Sequence, residues 1–165
     1  MARSSLLFLF FTSFCFGQIH PESEIDSLLR IGIEKIILQD YSSAENIFKT
    51  LDNEYPKIPL GNIYLAANQI TRTVDYAEEL NNDYVDSLLQ SALNKIELLR
   101  NENDEDIWNN YYEALVHGYK AYYHSISGNI ISAFADGVLS LRSFQECLEM
   151  DNDFYEYPGR EIEFE

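Results

Sequence analysis

The sequence predicts an all-α protein made of about three antiparallel helix pairs stacked as a short array. Proline and glycine are scarce, with 4 and 7 in 165 residues. Apolar residues recur at spacings of three and four rather than two, which is typical of helices. A pattern of small and large apolar residues also returns from segment to segment, as expected where each helix pair buries its face against the next pair.

Six helices follow from this periodicity. The first spans 22–39 and the second 42–54, and the prolines at 56 and 59 then break the chain. A third runs over 60–80, and a fourth carries the apolar positions from Val85 to Leu99. The fifth and sixth helices span 106–127 and 130–150.

Polar residues between these segments predict how the helices begin and end. Asn81, Asn82 and Asp83 offer a turn and an N-cap before the fourth helix. The acidic stretch NENDED, residues 101–106, caps the fifth helix, and Gly128 ends it. Short turns of this kind place consecutive helices side by side and antiparallel.

Residues 1–17, MARSSLLFLFFTSFCFG, are typical of a secretory signal peptide. Arg3 supplies the positive start, the apolar run is too short for a stable bilayer anchor, and Cys15 and Gly17 place small side chains before the cleavage point. Cleavage leaves Gln18 first and predicts an exported protein, periplasmic or extracellular. Phe14 disfavours an outer-membrane lipoprotein, because lipoprotein signals carry a small residue at that place.

The charge balance restricts the partners. The chain has 28 acidic and 11 basic residues, for a net charge of −17. Such a surface repels phosphate backbones and anionic lipid headgroups, which argues against nucleic acid and against membrane-surface binding. It either favours a basic partner or serves solubility alone. After the leader there is no apolar run of the roughly 18 residues that a transmembrane helix needs, and the sequence leaves the oligomeric state open.

The stretch YSSAENIFKTLDNEYP, residues 41–56, contains the pattern that recurs. Its copies are Ala44/Phe48/Leu51, Ala92/Ile96/Leu99 and, more loosely, Ala133/Gly137/Ser140. Gly32 and Ala121 lie twelve positions before the first and last of these alanines. Small residues so placed let two helices of a pair approach closely, while the large ones fill the gap to the next pair.

Residues 25–58 resemble a tetratricopeptide repeat. The signature places are held by Leu28, Ile31, Gly32, Tyr41, Ala44, Phe48, Leu51 and Pro56, with Lys35 where an aromatic residue is expected. A second unit, 59–104, keeps the recurring trio but is longer, and the third, 106–150, has Gly137 in place of a large residue. The resemblance implies a right-handed solenoid within residues 18–158, followed by an acidic C-terminal tail at 159–165.

The leader and the lengthened second unit also resemble uncharacterised exported repeat proteins of Bacteroidetes-type bacteria. In those proteins the segment after DNDFYE enters another repeat helix, whereas YPGREIEFE follows here. The comparison predicts a shortened member or the N-terminal part of a longer repeat protein. In the second case the sixth helix lacks the helix that caps it.

The resemblance implies a non-enzymatic protein–protein interaction scaffold of the bacterial cell envelope, without a cofactor. In the family, the first helix of each pair lines a concave face that holds a peptide or a partner domain. The implied partner-binding residues are Leu29, Ile33, Ile36, Ile63, Ala67, Ile70, Tyr111, Leu115 and Tyr122.

Glu113, His117 and His124 on the fifth helix give the alternative hypothesis, a metal-binding site or a metal-dependent enzyme. Their spacing brings them close to one face of the helix. Zinc, however, takes three or four ligands from more than one element, and the chain has neither HExxH nor paired CxxC. A GxSxG motif and a phosphate-binding glycine loop are missing too, so the sequence predicts no catalytic residue and no metal site.

Three remaining features are given structural interpretations. Aromatic residues crowd the fifth helix, and their spacing predicts that most of them lie in the core: Trp108, Tyr111, Tyr112, Tyr119, Tyr122 and Tyr123. Cys147 is predicted to be a small apolar residue on a helix. His20 falls in a start that is predicted to be unstructured.

Overall fold

The computed structural model describes residues 19–154, and this part of the chain is all-helical. Its helices are α1 (Ser23–Ile37), α2 (Tyr41–Glu54), α3 (Leu60–Tyr76), α4 (Asn82–Glu102), α5 (Ile107–Ile126) and α6 (Ile130–Met150). The described residues contain no strand. The all-α class is therefore confirmed, while the signal peptide proposed at 1–17 and the acidic tail proposed at 159–165 lie outside the described residues.

Side-chain caps fix where several helices begin. The Asn81 side chain accepts the backbone N–H of Tyr84 at 3.1 Å, and the Asp106 side chain accepts that of Trp108 at 3.0 Å. These bonds satisfy donors that have no partner inside a helix. The N-caps expected before α4 and α5 are thus confirmed, and Gly128 closes α5 with a left-handed φ of 78°.

The third helix ends earlier than its periodicity predicts, at Tyr76 rather than near residue 80. Ala77 adopts a left-handed conformation with φ 52° and ψ 37°, and its N–H bonds to the carbonyl oxygens of Thr73 and Val74. Glu78 and Glu79 follow directly. Acidic side chains at the negative end of a helix dipole disfavour further turns, so the chain leaves the helix here.

Each helix packs against the next one along the chain, and α3 also packs against α5. This order of contacts is consistent with a helical repeat-like arrangement. Small residues let neighbouring helices pack closely. A Cβ atom on Gly32 of α1 would collide with the ring of Phe48 in α2. On Gly137 a Cβ atom would lie 3.9 Å from the Ala121 Cβ atom of α5. Small residues therefore lie at both hairpin contacts, but not opposite the alanines that the pattern suggests: Gly32 faces Phe48 rather than Ala44, and Ala121 faces Gly137 rather than Ala133.

The third helix lies at the centre of the molecule. Residues 60–68, the first half of α3, are all buried. Because nine consecutive helical residues cover every side of a helix, this half is enclosed all round. Its Tyr64 ring stacks on Phe48 of α2 at 5.3 Å between centroids and meets Tyr119 of α5 at 6.3 Å.

The segment before α1 is ordered by contacts with α5, so the prediction that His20 lies in an unstructured start is wrong. The His20 side chain is buried, and its Nε2 lies 2.9 Å from the Tyr112 hydroxyl. Its ring centroid is 4.8 Å from that of Trp108. Periodicity within residues 18–22 is too short to reveal a contact with a helix some ninety positions away.

Candidate interaction surface

Five of the nine residues assigned to a concave binding face lie in the core instead. They are at most 7% exposed: Leu29, Ile63, Ala67, Ile70 and Tyr111. Three of them belong to α3, which α2, α4 and α5 enclose. The ring of Tyr111 packs edge-on against Trp108 and Phe154. These five side chains hold the fold and offer no surface to a partner, which corrects the assignment made from the repeat pattern.

The other four assigned residues keep part of their surface. Ile33 and Ile36 on α1, with Leu115 and Tyr122 on α5, are partly buried and pack against the core. Burial, together with the nearby negative charge of Asp75, raises the pKa of the Tyr122 phenol. The phenol therefore stays neutral and remains able to donate a hydrogen bond.

Glu113 pairs with an arginine of α4, whereas the two histidines of α5 share an aspartate of α6. A Glu113 carboxylate oxygen lies 2.6 Å from an Arg100 guanidinium nitrogen, which ties α5 to α4. His117 Nδ1 lies 2.8 Å from one carboxylate oxygen of Asp136 on α6, and His124 Nε2 lies 3.4 Å from the other. One aspartate thus joins both histidines across the last hairpin.

The sequence-based hypothesis missed Asp136, although the sequence carries a signal for it. Asp136 is the only acidic residue between 129 and 145 in a chain with 28 acids. It lies among the small residues that were expected to face inward, and it is only 8% exposed. A buried carboxylate needs partners, and the histidines of α5 provide them.

The side chains of this cluster bond to one another or to an arginine: Asp136 bridges the two histidines, and Glu113 pairs with Arg100. Within residues 19–154, no group of three or more His, Cys, Asp or Glu side chains could hold a metal ion. In the same range, no helix combines the length and apolar character needed to cross a bilayer.

The inward face of α6 is small and polar. Its buried residues are Asp136, Ser140, Ser143 and Cys147. The Ser140 hydroxyl donates a 2.8 Å hydrogen bond to the Ala114 carbonyl oxygen, and a Cβ atom on Gly118 would lie 3.3 Å from that hydroxyl oxygen. The burial of Cys147 confirms its expected packing role. Small side chains let α5 and α6 approach closely, but they bury little apolar area.

The outward face of α6 is large and apolar. Its exposed fractions are 85% for Ile131, 75% for Phe134, 49% for Val138, 62% for Leu141 and 39% for Leu148. At 100° per residue, these positions lie on the side of the helix opposite the buried set. The usual amphipathic order, with apolar residues inward, is inverted in this helix.

Charge is nearly absent from this outward face, which we call the α6 face and define as Ile131, Phe134, Val138 and Leu141. Between residues 130 and 145 the charged side chains are Asp136, which is buried, and Arg142, which is 74% exposed in its side chain and pairs with Glu146. The rest of the chain is strongly acidic. The α6 face is therefore apolar and uncharged on a negatively charged molecule.

Other exposed apolar side chains are more dispersed. Leu98 on α4, for example, is 65% exposed and has no large exposed apolar neighbour one turn away along its helix. Single apolar residues on a surface are ordinary, whereas a continuous apolar strip marks a contact surface. The sequence carried a signal for the strip, because a trio as small as Ala133, Gly137 and Ser140 facing inward leaves the large residues outside.

Comparison with family models, with curated proteins and with solved structures gave no match for this chain.

Proposed function

We propose that this protein is a non-enzymatic protein–protein interaction scaffold of the bacterial cell envelope, built as a tetratricopeptide-like helical repeat. The observation that supports the proposal most directly is the inverted amphipathicity of α6. Its inward face is polar and small, while Ile131 and Phe134 are at least three-quarters exposed. A helix arranged in this way loses apolar burial in the isolated chain and regains it when another protein covers the strip.

The size of the effect supports binding through apolar contact. Burial of one Phe, Leu, Ile or Val side chain contributes about 1.5–3 kcal/mol. The four residues of the α6 face are exposed by about half or more, so covering them is worth several kcal/mol before the cost of association. The acidic surroundings would add preference among partners rather than most of the affinity.

Capture from a cell-envelope extract tests the proposal with matched variants. Phe134→Glu places a carboxylate at the centre of the α6 face, and Leu98→Glu places one at an equally exposed apolar position on α4. We expect the unaltered chain and Leu98→Glu to retain the same partner, and Phe134→Glu to lose it. Equal capture by all three chains would contradict the proposal, and so would capture of neither another protein nor a second copy of this chain by any of them.

A second surface belongs to the same proposal. Ile33 and Ile36 with Leu115 and Tyr122 remain partly exposed on α1 and α5, where the repeat analogy expects a peptide to bind. An Ile33→Glu chain with a Tyr122→Glu substitution, checked for unchanged helicity, reports on this surface. If that chain captures the partner as well as the unaltered one, binding does not use these residues.

The proposed export depends on residues 1–17, which resemble a leader. Expression with export in a bacterial host, followed by mass spectrometry of the recovered chain, tests it. We expect an N-terminus at Gln18. A chain recovered from the cytoplasm with residues 1–17 intact would contradict export.

The inverted helix also favours the runner-up hypothesis, that the chain is the N-terminal part of a longer repeat protein. In such a protein, a following helix would cover the α6 face. The intact mass of the protein in its native cells distinguishes the two cases, because a longer product would exceed the 19.2 kDa of this chain.

A further inference from the structure

We infer that the partner of the α6 face is a second copy of this chain, bound through an antiparallel α6–α6 contact. The inference rests on the proposed function in one respect, that the α6 face is a binding surface. It goes beyond that function by naming the occupant. Three features of the face favour a second copy: its spacing, its symmetry and its charge.

The spacing of the α6 face is that of a helix–helix seam. From Ile131 the residues of the α6 face follow at intervals of three, four and three residues, to Phe134, Val138 and Leu141, while Ile130 and Leu139 are exposed outside this series. Continuing the series by four and three gives the exposed residues Gln145 and Leu148. These five steps cover 17 residues, close to the average step of about 3.5 residues that keeps a strip facing a partner helix along its length.

The same intervals make the face complementary to itself. A twofold contact requires one patch to fit a rotated copy of itself. In an antiparallel pair centred on residue 136, Ile131 faces Leu141 of the second copy and Phe134 faces Val138. The intervals between the four residues, three, four and three, are the same in both directions along the helix. Each large apolar residue therefore meets another one in the second copy.

The charge distribution favours a second copy over a basic protein as the occupant of the α6 face. Two chains of net charge −17 repel one another over most of their surfaces. The α6 face is where the repulsion is weakest, because Asp136 is buried and the exposed charge of Arg142 is balanced by its ion pair with Glu146. A basic partner would find no carboxylate to pair with inside this strip, and would be better placed elsewhere on the molecule.

The size of the strip sets the expected strength. Over the stretch that the two copies share, from Ile131 to Leu141, the helix rises about 15 Å. A contact along one helix lies at the small end of specific interfaces, so we expect a reversible dimer with a dissociation constant in the micromolar range. Salt should tighten it by screening the repulsion between the copies, whereas binding of a basic partner would weaken with salt.

Sedimentation measures this directly on the full chain recovered by export. We expect a monomer–dimer equilibrium in the micromolar range that is at least about threefold tighter in 0.5 M than in 0.05 M NaCl. Phe134→Glu should weaken it at least about tenfold, because two carboxylates would enter an apolar seam. Leu98→Glu, which adds the same charge away from α6, should leave it within a factor of about two.

A cysteine pair tests the register. In the proposed pairing, position 134 of one copy faces position 138 of the other, so a chain with Phe134→Cys and Val138→Cys should form a covalent dimer under mild oxidation. Leu98→Cys, on a different helix, should form no covalent dimer under the same conditions. The natural Cys147 is buried and gives the background rate.

Two results would overturn the inference. A chain that stays monomeric to several hundred micromolar, while its capture of another protein still depends on Phe134, would retain the proposed function and exclude self-association. A monomer in which a cysteine at 134 resists alkylation would show that the face is covered by the chain's own residues 155–165. If Phe134→Glu changes neither sedimentation nor capture, both the inference and the proposed function fail.

Discussion

Gly61 lies where α3 passes closest to α2. A Cβ atom built on it would lie 2.7 Å from the backbone N and Cα atoms of Asp52. Because that neighbour is backbone, it cannot move aside as the end of a flexible side chain can. We expect Gly61→Ala to lower the free energy of unfolding by about 1–3 kcal/mol, measured by urea denaturation.

Gly137 on α6 is the matched control for this substitution. Its added Cβ atom would lie 3.9 Å from the nearest atom, an ordinary contact, and the residue is inside a helix. Gly137→Ala should therefore raise the free energy of unfolding by up to about 1 kcal/mol. Equal effects of the two substitutions would show that the α2–α3 approach is not as close as described.

His20 provides a prediction about pH. Burial lowers the pKa of its imidazole below the ordinary value of 6.5, against the opposing effect of the nearby carboxylates of Glu22, Asp26 and Asp106. Its Nδ1 accepts the Glu22 backbone N–H at 3.1 Å, so in the neutral ring Nε2 carries the proton and donates it to Tyr112. Protonation of Nδ1 would remove that acceptor.

The lowered pKa of His20 determines how the stability of the protein changes with pH. Below about pH 6.5 the unfolded chain binds a proton at His20 that the folded chain resists, so the stabilisation is present above that pH and is lost as the pH falls through it. We expect the melting temperature to fall more between pH 7.5 and pH 5.5 in the unaltered chain than in His20→Gln. Identical slopes would mean that His20 is solvated in the folded protein.

At this scale the sequence revealed local relations better than distant ones. Gly32 opposite Phe48 follows from two helices joined by a short turn. To predict that Asp136 lies between two histidines, one would need to know which face of α6 meets α5. To predict the burial of His20, one would need to know of a contact across most of the chain. Neither is encoded in the spacing of nearby residues.

At the scale of single helices, the end of α3 offers a further prediction. Ala77 closes this helix at φ 52°, a conformation that costs an L-residue with a Cβ atom about 1–2 kcal/mol. Its side chain is exposed, so removing the Cβ atom loses no core contact. We expect Ala77→Gly to raise the free energy of unfolding by about 0.5–1 kcal/mol, with the higher entropy of glycine in the unfolded chain offsetting part of the gain.

Calorimetry of this variant beside Val74→Gly makes the comparison sharp. Val74 lies one turn earlier, inside α3, and is 45% exposed, so glycine there should destabilise the protein. A loss of stability in Ala77→Gly would contradict the left-handed cap.

Helix positions were predicted well from periodicity because apolar spacing and polar caps are local properties. The boundaries of α6 agree with the sequence, and those of α2 and α5 differ by one residue at most. Periodicity alone does not distinguish the two sides of α6, and the recurring trio Ala133, Gly137 and Ser140 indicated the buried one. Both of its faces repeat at helical spacing, and the small polar face wins because Ser140 and Gly137 allow the close approach of α5.

At the scale of the whole molecule, the sequence predicted six helices packed in order but not the enclosure of α3. The repeat analogy places the first helix of each pair along an open concave surface. Here Ile63, Ala67 and Ile70 are buried, because α2, α4 and α5 surround α3 and the segment at His20 reaches α5. Stacking order follows from local signals, whereas the curvature that opens or closes a face depends on contacts between distant segments.

Net charge decides how the whole protein should respond to salt. Two effects compete: ion pairs such as Lys57–Glu102, with both side chains more than half exposed, weaken with salt, and each is worth at most about 1 kcal/mol. Repulsion among 28 acidic residues facing 11 basic ones also weakens with salt, and it acts over the entire surface. Because the acidic excess is so large, we expect the second effect to dominate.

Raising NaCl from 0.02 to 0.3 M should therefore raise the melting temperature by about 2–4 °C, which corresponds to about 1 kcal/mol for a chain of this length. The melting temperature should be measured at protein concentrations below about 1 µM, because an α6–α6 dimer would add its own stabilisation at higher concentration. Choline chloride at the same ionic strength should act alike, because screening depends on ionic strength rather than on the cation. A rise with NaCl alone would point to a bound sodium ion, and a fall in both salts would mean that ion pairs, not repulsion, govern the stability of this acidic fold.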